Sequence, residues 1–257
     1  MNVRSVIAGV FHGIVLTLIV ALSLMAAHED LIFDQIVSQA SSEDMGQQER
    51  AIALVETAHS IMDVNFKVLG STRSISAIER YIGSSDVHLL SPKGHCGSYA
   101  HVLARLLQRA EFDVRIAQME CSNKEVGCHI VVEAKIGGRY VPLDSMYNVY
   151  FFKKDETLAT YEEVGTDWAY YSQQLPEAYP GYFDYHNVNY TNWNKIPLLM
   201  PFIKQVLELF IGEKVHEISI RPYVLNVYKT YMIAVIAAYV LGILFFLLIA
   251  NRRRVRV

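Results

Sequence analysis

Two long apolar segments, one near each end of the chain, constrain the fold more than any other feature. Residues 6–27 are almost continuously apolar, and residues 231–250 contain no charged side chain. A helix rises about 1.5 Å per residue, so about 20 residues cross the ~30 Å hydrocarbon core of a bilayer. The sequence therefore predicts two transmembrane helices, at residues 1–28 and 229–250, with the intervening chain on one side of a membrane.

The basic residues that flank these segments predict their orientation. Arg4 precedes the first segment, and a basic tail at residues 251–257 follows the second. Because Lys and Arg collect on the cytoplasmic side of inserted helices, we expect both termini in the cytoplasm and the main domain on the far side of the membrane. A cleaved signal peptide is the alternative for the first segment, and it would leave the main domain in the same compartment.

The middle of the chain is predicted to form one acidic domain. The chain has a formal charge of −3, and the five arginines at its two ends contribute +5, so −8 remains for the rest. Such a domain repels phosphate backbones, and we therefore expect no nucleic-acid partner. We assign residues 29–152 to its core and residues 153–228 to a C-terminal extension of the outer domain, with residues 84–93 as a loop.

The extension contains two apolar features with open alternatives. Aromatic residues recur over residues 168–190, where they either pack the domain or line a substrate groove, and packing is the commoner role. A predicted helix at residues 197–212 is apolar on almost every side. Such a helix is deeply packed, lies on a membrane surface or binds a partner.

Cys96 begins a predicted helix. The apolar residues after it recur at helical spacing, which places Cys96 on the inward side of the first turn. A helix N-terminus favours the thiolate, which is the nucleophilic form of cysteine. The alternative is a buried cysteine that only fills space, the usual role of a single cysteine on an apolar helix face. The residues that set this spacing are Tyr99, Ala100, Leu103, Leu106 and Leu107.

Two β-rich segments joined by Gly137 and Gly138 predict a hairpin with a two-residue turn. In that register His129 and Asp144 are diagonal neighbours on one face, with Cα atoms about 7–8 Å apart. This separation permits a hydrogen bond between imidazole and carboxylate. Together with Cys96, the pair supplies a nucleophile, a base and an acid that orients the base.

The same residues carry a resemblance to a known family. The segment GHCGSYAHVLARLLQRAEFDVRIAQM, followed by HIVVEAKIGGRYVPLDSMYN, resembles the transglutaminase-like superfamily over about residues 49–152. That resemblance implies an α+β fold of the papain-like type, with an antiparallel sheet and Cys96, His129 and Asp144 as a catalytic triad. It also implies a hydrolase, such as a cysteine protease or amidase, or an acyltransferase, acting on a peptide or protein amide. Membrane-anchored members of this superfamily occur in bacteria, so the resemblance implies a bacterial inner-membrane protein with its main domain in the periplasm.

The resemblance does not select one reaction, because the superfamily includes cross-linkers, peptidases, amidases and inactive members. The alternative function is a catalytically inactive scaffold or partner-binding subunit of a cell-envelope polysaccharide assembly. The sequence before Cys96 shows no identifiable oxyanion side chain. No cofactor is expected. A zinc site among the cysteines and histidines is also not expected, because the chain lacks the paired CxxC spacing of such sites.

The two remaining cysteines, Cys121 and Cys128, flank a short loop between two predicted strands. Disulfides persist outside the cytoplasm, and paired strands would bring these two residues together. A bridge there would contribute on the order of 2–3 kcal/mol in the chain-entropy model and would leave Cys96 as the unpaired thiol. We therefore predict a disulfide between Cys121 and Cys128.

Overall fold

The computed structural model describes residues 3–42, 44–69, 83–90, 95–121, 126–194 and 197–254, without the side chains of residues 3–5, 121, 126–127 and 249–254. The described chain mixes helices with one antiparallel sheet. The helices are, in chain order, α1 (Val3–Ala40), α2 (Gln47–Leu69), α3 (Ser85–Leu90), α4 (Cys96–Arg109), α5 (Tyr161–Thr166), α6 (Trp168–Tyr171), α7 (Leu199–Ile211) and α8 (Val227–Arg254). The strands are β1 (Val114–Cys121), β2 (Val126–Ile136), β3 (Arg139–Leu143) and β4 (Phe183–Asn189).

The chain divides into two compact units, and the first consists of Met1–Leu31 and Asn226–Val257. It holds the apolar parts of α1 and α8. Segments Val6–Ala40 and Val227–Leu248, with mean hydropathies of 2.4 and 2.6, are long and apolar enough to cross a membrane. Both predicted apolar helices are therefore present, and their orientation stays a prediction. Three side-chain pairs join them in antiparallel order: His12 with Tyr239, Ser23 with Met232, and Asp30 with Lys229.

The second unit, Ile32–Leu225, is built on a four-stranded antiparallel sheet in the order β3-β2-β1-β4. Strands β2 and β3 form the predicted hairpin, with Ile136 opposite Arg139. Gly137 and Gly138 occupy its turn with φ of 56° and 83°. A tight hairpin turn needs positive φ at both central positions, which glycine adopts without strain. The hairpin and its register are thus confirmed.

Each face of the sheet carries its own hydrophobic cluster. Side chains of β2 alternate, so Val132 and Ala134 pack with α2 and α4 on one face, whereas Val131 packs on the other. The second face is covered by an aromatic cluster drawn from the chain after residue 146. The aromatic residues Tyr171, Tyr179 and Tyr185 are buried there, in agreement with the packing role predicted for this segment.

Two elements depart from the sequence expectations. Residues 84–93 were expected to be a loop, but Ser85–Leu90 forms the short helix α3, because Leu89 anchors it in the core beside α2 and α4. Strand β4 lies in the segment assigned to the extension, and it adds to the sheet at β1. Core and extension therefore share one sheet.

Candidate functional site

The centre of the candidate site is a buried pair of His129 and Asp144. His129 Nε2 lies 2.6 Å from Asp144 Oδ2, and both side chains are about 2% exposed. His129 stands on β2, and Asp144 directly follows β3. The two-residue turn of the hairpin fixes their relation, because a register shift of one residue would move His129 to the other face.

Backbone amides hold the Asp144 carboxylate in place. Its Oδ1 accepts hydrogen bonds from the amides of Met146 and Tyr147 at 3.0 and 3.3 Å. Asp144 also pairs with Val149 through two backbone hydrogen bonds of 2.8 and 2.9 Å. The Oδ2 atom remains directed at the imidazole and also accepts a 3.3 Å hydrogen bond from the Tyr179 hydroxyl. The turn that follows Asp144 therefore orients the carboxylate independently of its contact with His129.

Cys96 is the first residue of α4, and its thiol lies close enough to His129 to raise the pKa of that imidazole. Because Nε2 of the ring is engaged by Asp144, Nδ1 is the nitrogen that remains for the thiol. The first turn of α4 lies against β2: a Cβ built on Gly97 would sit 3.6 Å from Cδ1 of Ile130. Cys96 is a free, half-buried cysteine, so its sulfur is both unpaired and partly accessible.

Asp144 and Cys96 together change the acidity of His129. Burial of the ring disfavours its charged form, but hydrogen bonds and charge interactions with Asp144 and Cys96 outweigh this effect and raise the pKa of His129 to about 9. The imidazolium is therefore the favoured form at neutral pH. A positively charged ring beside the sulfur stabilises a thiolate, as nucleophilic cysteine chemistry requires.

Aromatic rings from the chain after β3 enclose His129. The ring of Phe183 stacks on the imidazole with centroids 4.2 Å apart and planes inclined by 7°. Tyr147 and Tyr179 lie at 5.7 and 6.5 Å. The Tyr179 hydroxyl is 2.6 Å from that of Tyr185. These rings form an aromatic cage around His129, and they belong to the aromatic cluster that covers this face of the sheet. These contacts exclude water from one face of the imidazole.

Arg221 is a further charged group near the site that sequence reasoning missed. Burial lowers the pKa of this guanidinium, and an electrostatic interaction with Cys96 opposes that change. Arg221 begins a 3-10 turn, Arg221–Val224. The next residue, Pro222, accepts a 2.8 Å hydrogen bond from Gln108 of α4. No short motif marks this arginine, because it lies far from Cys96 in sequence.

The aromatic cage was also missed as part of the site. Tyr179 and Phe183 fall within residues 168–190, the aromatic segment that was predicted to pack the domain, whereas Tyr147 lies before it; all three pack in the aromatic cluster. The available signal was local: Phe183 and Tyr185 alternate with the more exposed Asp184 and His186, which is the period of a strand. Proline and glycine around this short segment obscured the pattern.

The other two cysteines are Cys121 and Cys128. Cys128 takes part in a disulfide, and its neighbour His129 carries the imidazole of the site. The side chain of Cys121, its predicted partner, lies outside the described residues. The bridge between these two cysteines therefore stays a prediction.

His88 of α3 and His101 of α4 form a pair of neighbouring histidines. The rings of His88 and His101 are 4.8 Å apart, and His101 bonds to Ser85 Oγ at 3.0 Å. Burial and the neighbouring His88 lower the pKa of His101 to about 3, so this ring is neutral. Among the residues that the structure describes, no group of three or more His, Cys, Asp or Glu side chains could hold a metal ion.

The geometry thus brings the three predicted residues together around one imidazole, with a thiol on one side and a carboxylate on the other. Such an arrangement can ionise the thiol, protonate a leaving group and later activate a second nucleophile. No protein-family model matches the chain, and comparisons with curated proteins and with solved structures find no match.

Proposed function

We propose that this chain is a membrane-anchored, transglutaminase-like cysteine enzyme with a papain-like core that hydrolyses or transfers amide-derived acyl groups. One observation carries the proposal: His129 bonds to Asp144 at 2.6 Å and lies beside Cys96 at the first turn of α4. A thiol, an imidazole and a carboxylate in this order form the constellation that nucleophilic cysteine catalysis uses on unrelated folds.

In the first half-reaction the Cys96 thiolate attacks an amide carbonyl carbon. A C–S bond forms, and the carbonyl oxygen gains a negative charge. The first amides of a helix have no intrahelical acceptor, and His95, the N-cap residue of α4, makes no side-chain capping bond. The amides of Cys96 and Gly97 can therefore bind the oxyanion. As the C–N bond breaks, the imidazolium of His129 donates its proton to the departing amine.

In the second half-reaction the neutral His129 takes a proton from water or from an amine. The activated nucleophile attacks the thioester, the C–S bond breaks, and the thiolate returns beside the imidazolium. Asp144 stays ionised and fixes the ring through Nε2. Water as the acceptor gives a carboxylic acid, and an amine gives a new amide. The chemistry is balanced without a metal or a redox partner.

The substrate class follows from this chemistry and from the compartment proposed for the domain. A peptide or protein amide is the acyl donor, and it meets the enzyme outside the inner membrane of a bacterium. The two apolar helices and the arginines that flank them support this placement. Both termini then lie in the cytoplasm.

The function is tested with a glutamine-containing peptide library and hydroxylamine as the acyl acceptor. The purified full chain, in detergent or nanodiscs, should form peptide hydroxamates or free acids, and mass spectrometry should find a thioester on Cys96. The Cys96→Ala and His129→Ala variants should lose activity by roughly 100-fold or more. His216→Ala is the matched control, because this histidine is 56% exposed and far along the chain from the triad.

A cellular test separates the enzyme from the inactive scaffold. Cys96→Ala should fail to replace the wild-type gene in a deletion strain if catalysis is the role of the chain. Full complementation by Cys96→Ala, together with absence of any thioester, would establish the scaffold instead.

A further inference from the structure

Helix α7, Leu199–Ile211, has its polarity reversed relative to a helix on a soluble domain. None of its residues is buried. Apolar side chains recur along one side at helical spacing, and two of them, Leu209 and Phe210, are 82% and 78% exposed. The exposed apolar side consists of Leu199, Phe202, Val206, Leu209 and Phe210.

The polar side chains of α7 face the domain instead. Lys204, Gln205 and Glu208 line a polar cleft, together with the strand residues Gln118 and Glu120. Within the helix, Lys204 and Glu208 form an ion pair of 3.2 Å. A helix on a domain surrounded by water buries its apolar side and exposes its charges. The opposite arrangement indicates that the medium outside α7 is apolar.

The chain itself supplies such a medium. Fifteen residues separate Ile211 from Val227, where the apolar segment of α8 begins. A fully extended chain spans about 3.3–3.6 Å per residue, so α7 is tethered within roughly 50 Å of that segment. Apolar exposure continues along the connection, where Tyr223 and Val224 are 84% and 43% exposed. Aromatic residues at such positions are typical of the membrane–water interface.

We propose that α7 is an interfacial membrane helix. Its apolar side enters the boundary between headgroups and acyl chains of the bilayer that the chain's own apolar helices cross. Its polar side faces the domain. An in-plane helix of this kind buries its apolar face about 5–10 Å into the boundary between headgroups and acyl chains. No residue of the Cys96 site takes part, so the inference rests on the proposed membrane anchoring and not on the proposed catalysis.

Site-directed spin labelling of the full chain tests this inference. The chain is reconstituted in vesicles of phosphatidylethanolamine and phosphatidylglycerol, in a Cys96→Ser background. Nitroxides are placed by Phe202→Cys, Leu209→Cys and Phe210→Cys on the apolar side and by Gln205→Cys in the cleft. Leu244→Cys in α8 calibrates the lipid phase, and Asp155→Cys, on an exposed loop residue, calibrates water. All labelled positions of α7 are exposed or line the cleft, so folding is preserved.

The measured quantity is the ratio of collisions with oxygen, which concentrates in lipid, to collisions with a water-soluble nickel chelate. The three apolar-side labels should resemble Leu244→Cys, with the sign of the depth parameter reversed relative to Asp155→Cys and Gln205→Cys. Water-like values at all α7 positions would overturn the inference. Shielding of Leu209→Cys and Phe210→Cys from both reagents would overturn it as well, because that result indicates a protein contact.

Discussion

Replacing Asp144 by asparagine should remove the positive charge from His129 at neutral pH. The wild-type pKa of about 9, against 6.5 for an ordinary histidine, corresponds to about 3 kcal/mol in favour of the imidazolium. Asparagine preserves the shape and can still accept the amide hydrogen bonds of the turn. It supplies no negative charge at 2.6 Å, however, and the burial that disfavours the imidazolium remains. We expect the pKa of His129 to fall by at least about two pH units.

The assay is a titration of the histidine side chains by NMR, with the His129 signal assigned from its absence in His129→Ala. Asp155→Asn is the matched control, because Asp155 is an exposed carboxylate on a surface loop. It should leave the His129 titration unchanged. A wild-type His129 that titrates at or below 6.5, or one that is insensitive to Asp144→Asn, would show that Asp144 does not raise the pKa of this ring.

The same pair gives a stability prediction with a defined sign. Because the folded-state pKa of His129 lies above the unfolded value, its stabilisation is complete below about pH 6.5 and is lost as the pH rises through about 9. The difference in the free energy of unfolding between wild type and Asp144→Asn should therefore be largest near pH 6. It should shrink by about 3 kcal/mol towards pH 10. A constant or growing difference over this range would contradict the assignment of the raised pKa to Asp144.

Three further predictions concern the surroundings of the site, and each is measured by denaturant unfolding of the detergent-solubilised chain. Phe183→Ala removes the ring stacked on His129 and should lower the free energy of unfolding by about 3 kcal/mol. Its control, Tyr182→Ala at a 55% exposed neighbour, should lower it by less than about 0.5 kcal/mol. Equal effects would show that the stacked ring contributes nothing to stability. Gly165→Ala places a Cβ 2.9 Å from His186 Nδ1 and 3.3 Å from the carbonyl oxygen of Tyr185 and should cost about 1 kcal/mol, while Gly181→Ala meets open space and should be nearly neutral. Cys128→Ser should lower the free energy of unfolding by about 2–3 kcal/mol. Peptide mapping without reductant should find a peptide that links Cys128 to Cys121. A peptide that links Cys128 to Cys96 would contradict both the predicted bridge and the free thiol.

The sequence could predict the parts of the site that depend on local rules. The Gly137-Gly138 turn sets the hairpin register, and the register places His129 beside Asp144. Helical spacing after Cys96 likewise places its sulfur at the first turn of α4. Each of these inferences uses contacts between residues close in sequence, where the period of the backbone decides which side chains meet.

The parts that the sequence did not reveal depend on contacts between distant segments. Phe183 reaches His129 only because β4 pairs with β1, and that pairing follows from the assembled sheet rather than from the local pattern. Arg221 comes near Cys96 through a 3-10 turn held against α4. Helix α3 is six residues long, too short for a periodic signal, and the core contact of Leu89 stabilises it.

The reactivity of Cys96 towards iodoacetamide as a function of pH shows whether His129 activates this thiol. Cys96 is free and Cys128 is in a disulfide, so alkylation of the oxidised chain can be followed at Cys96 by peptide mass spectrometry. At about pH 6 the wild type should be labelled much faster than His129→Ala, because the imidazolium of His129 stabilises the thiolate that reacts. Identical labelling rates for wild type and His129→Ala at every pH would contradict this role of His129.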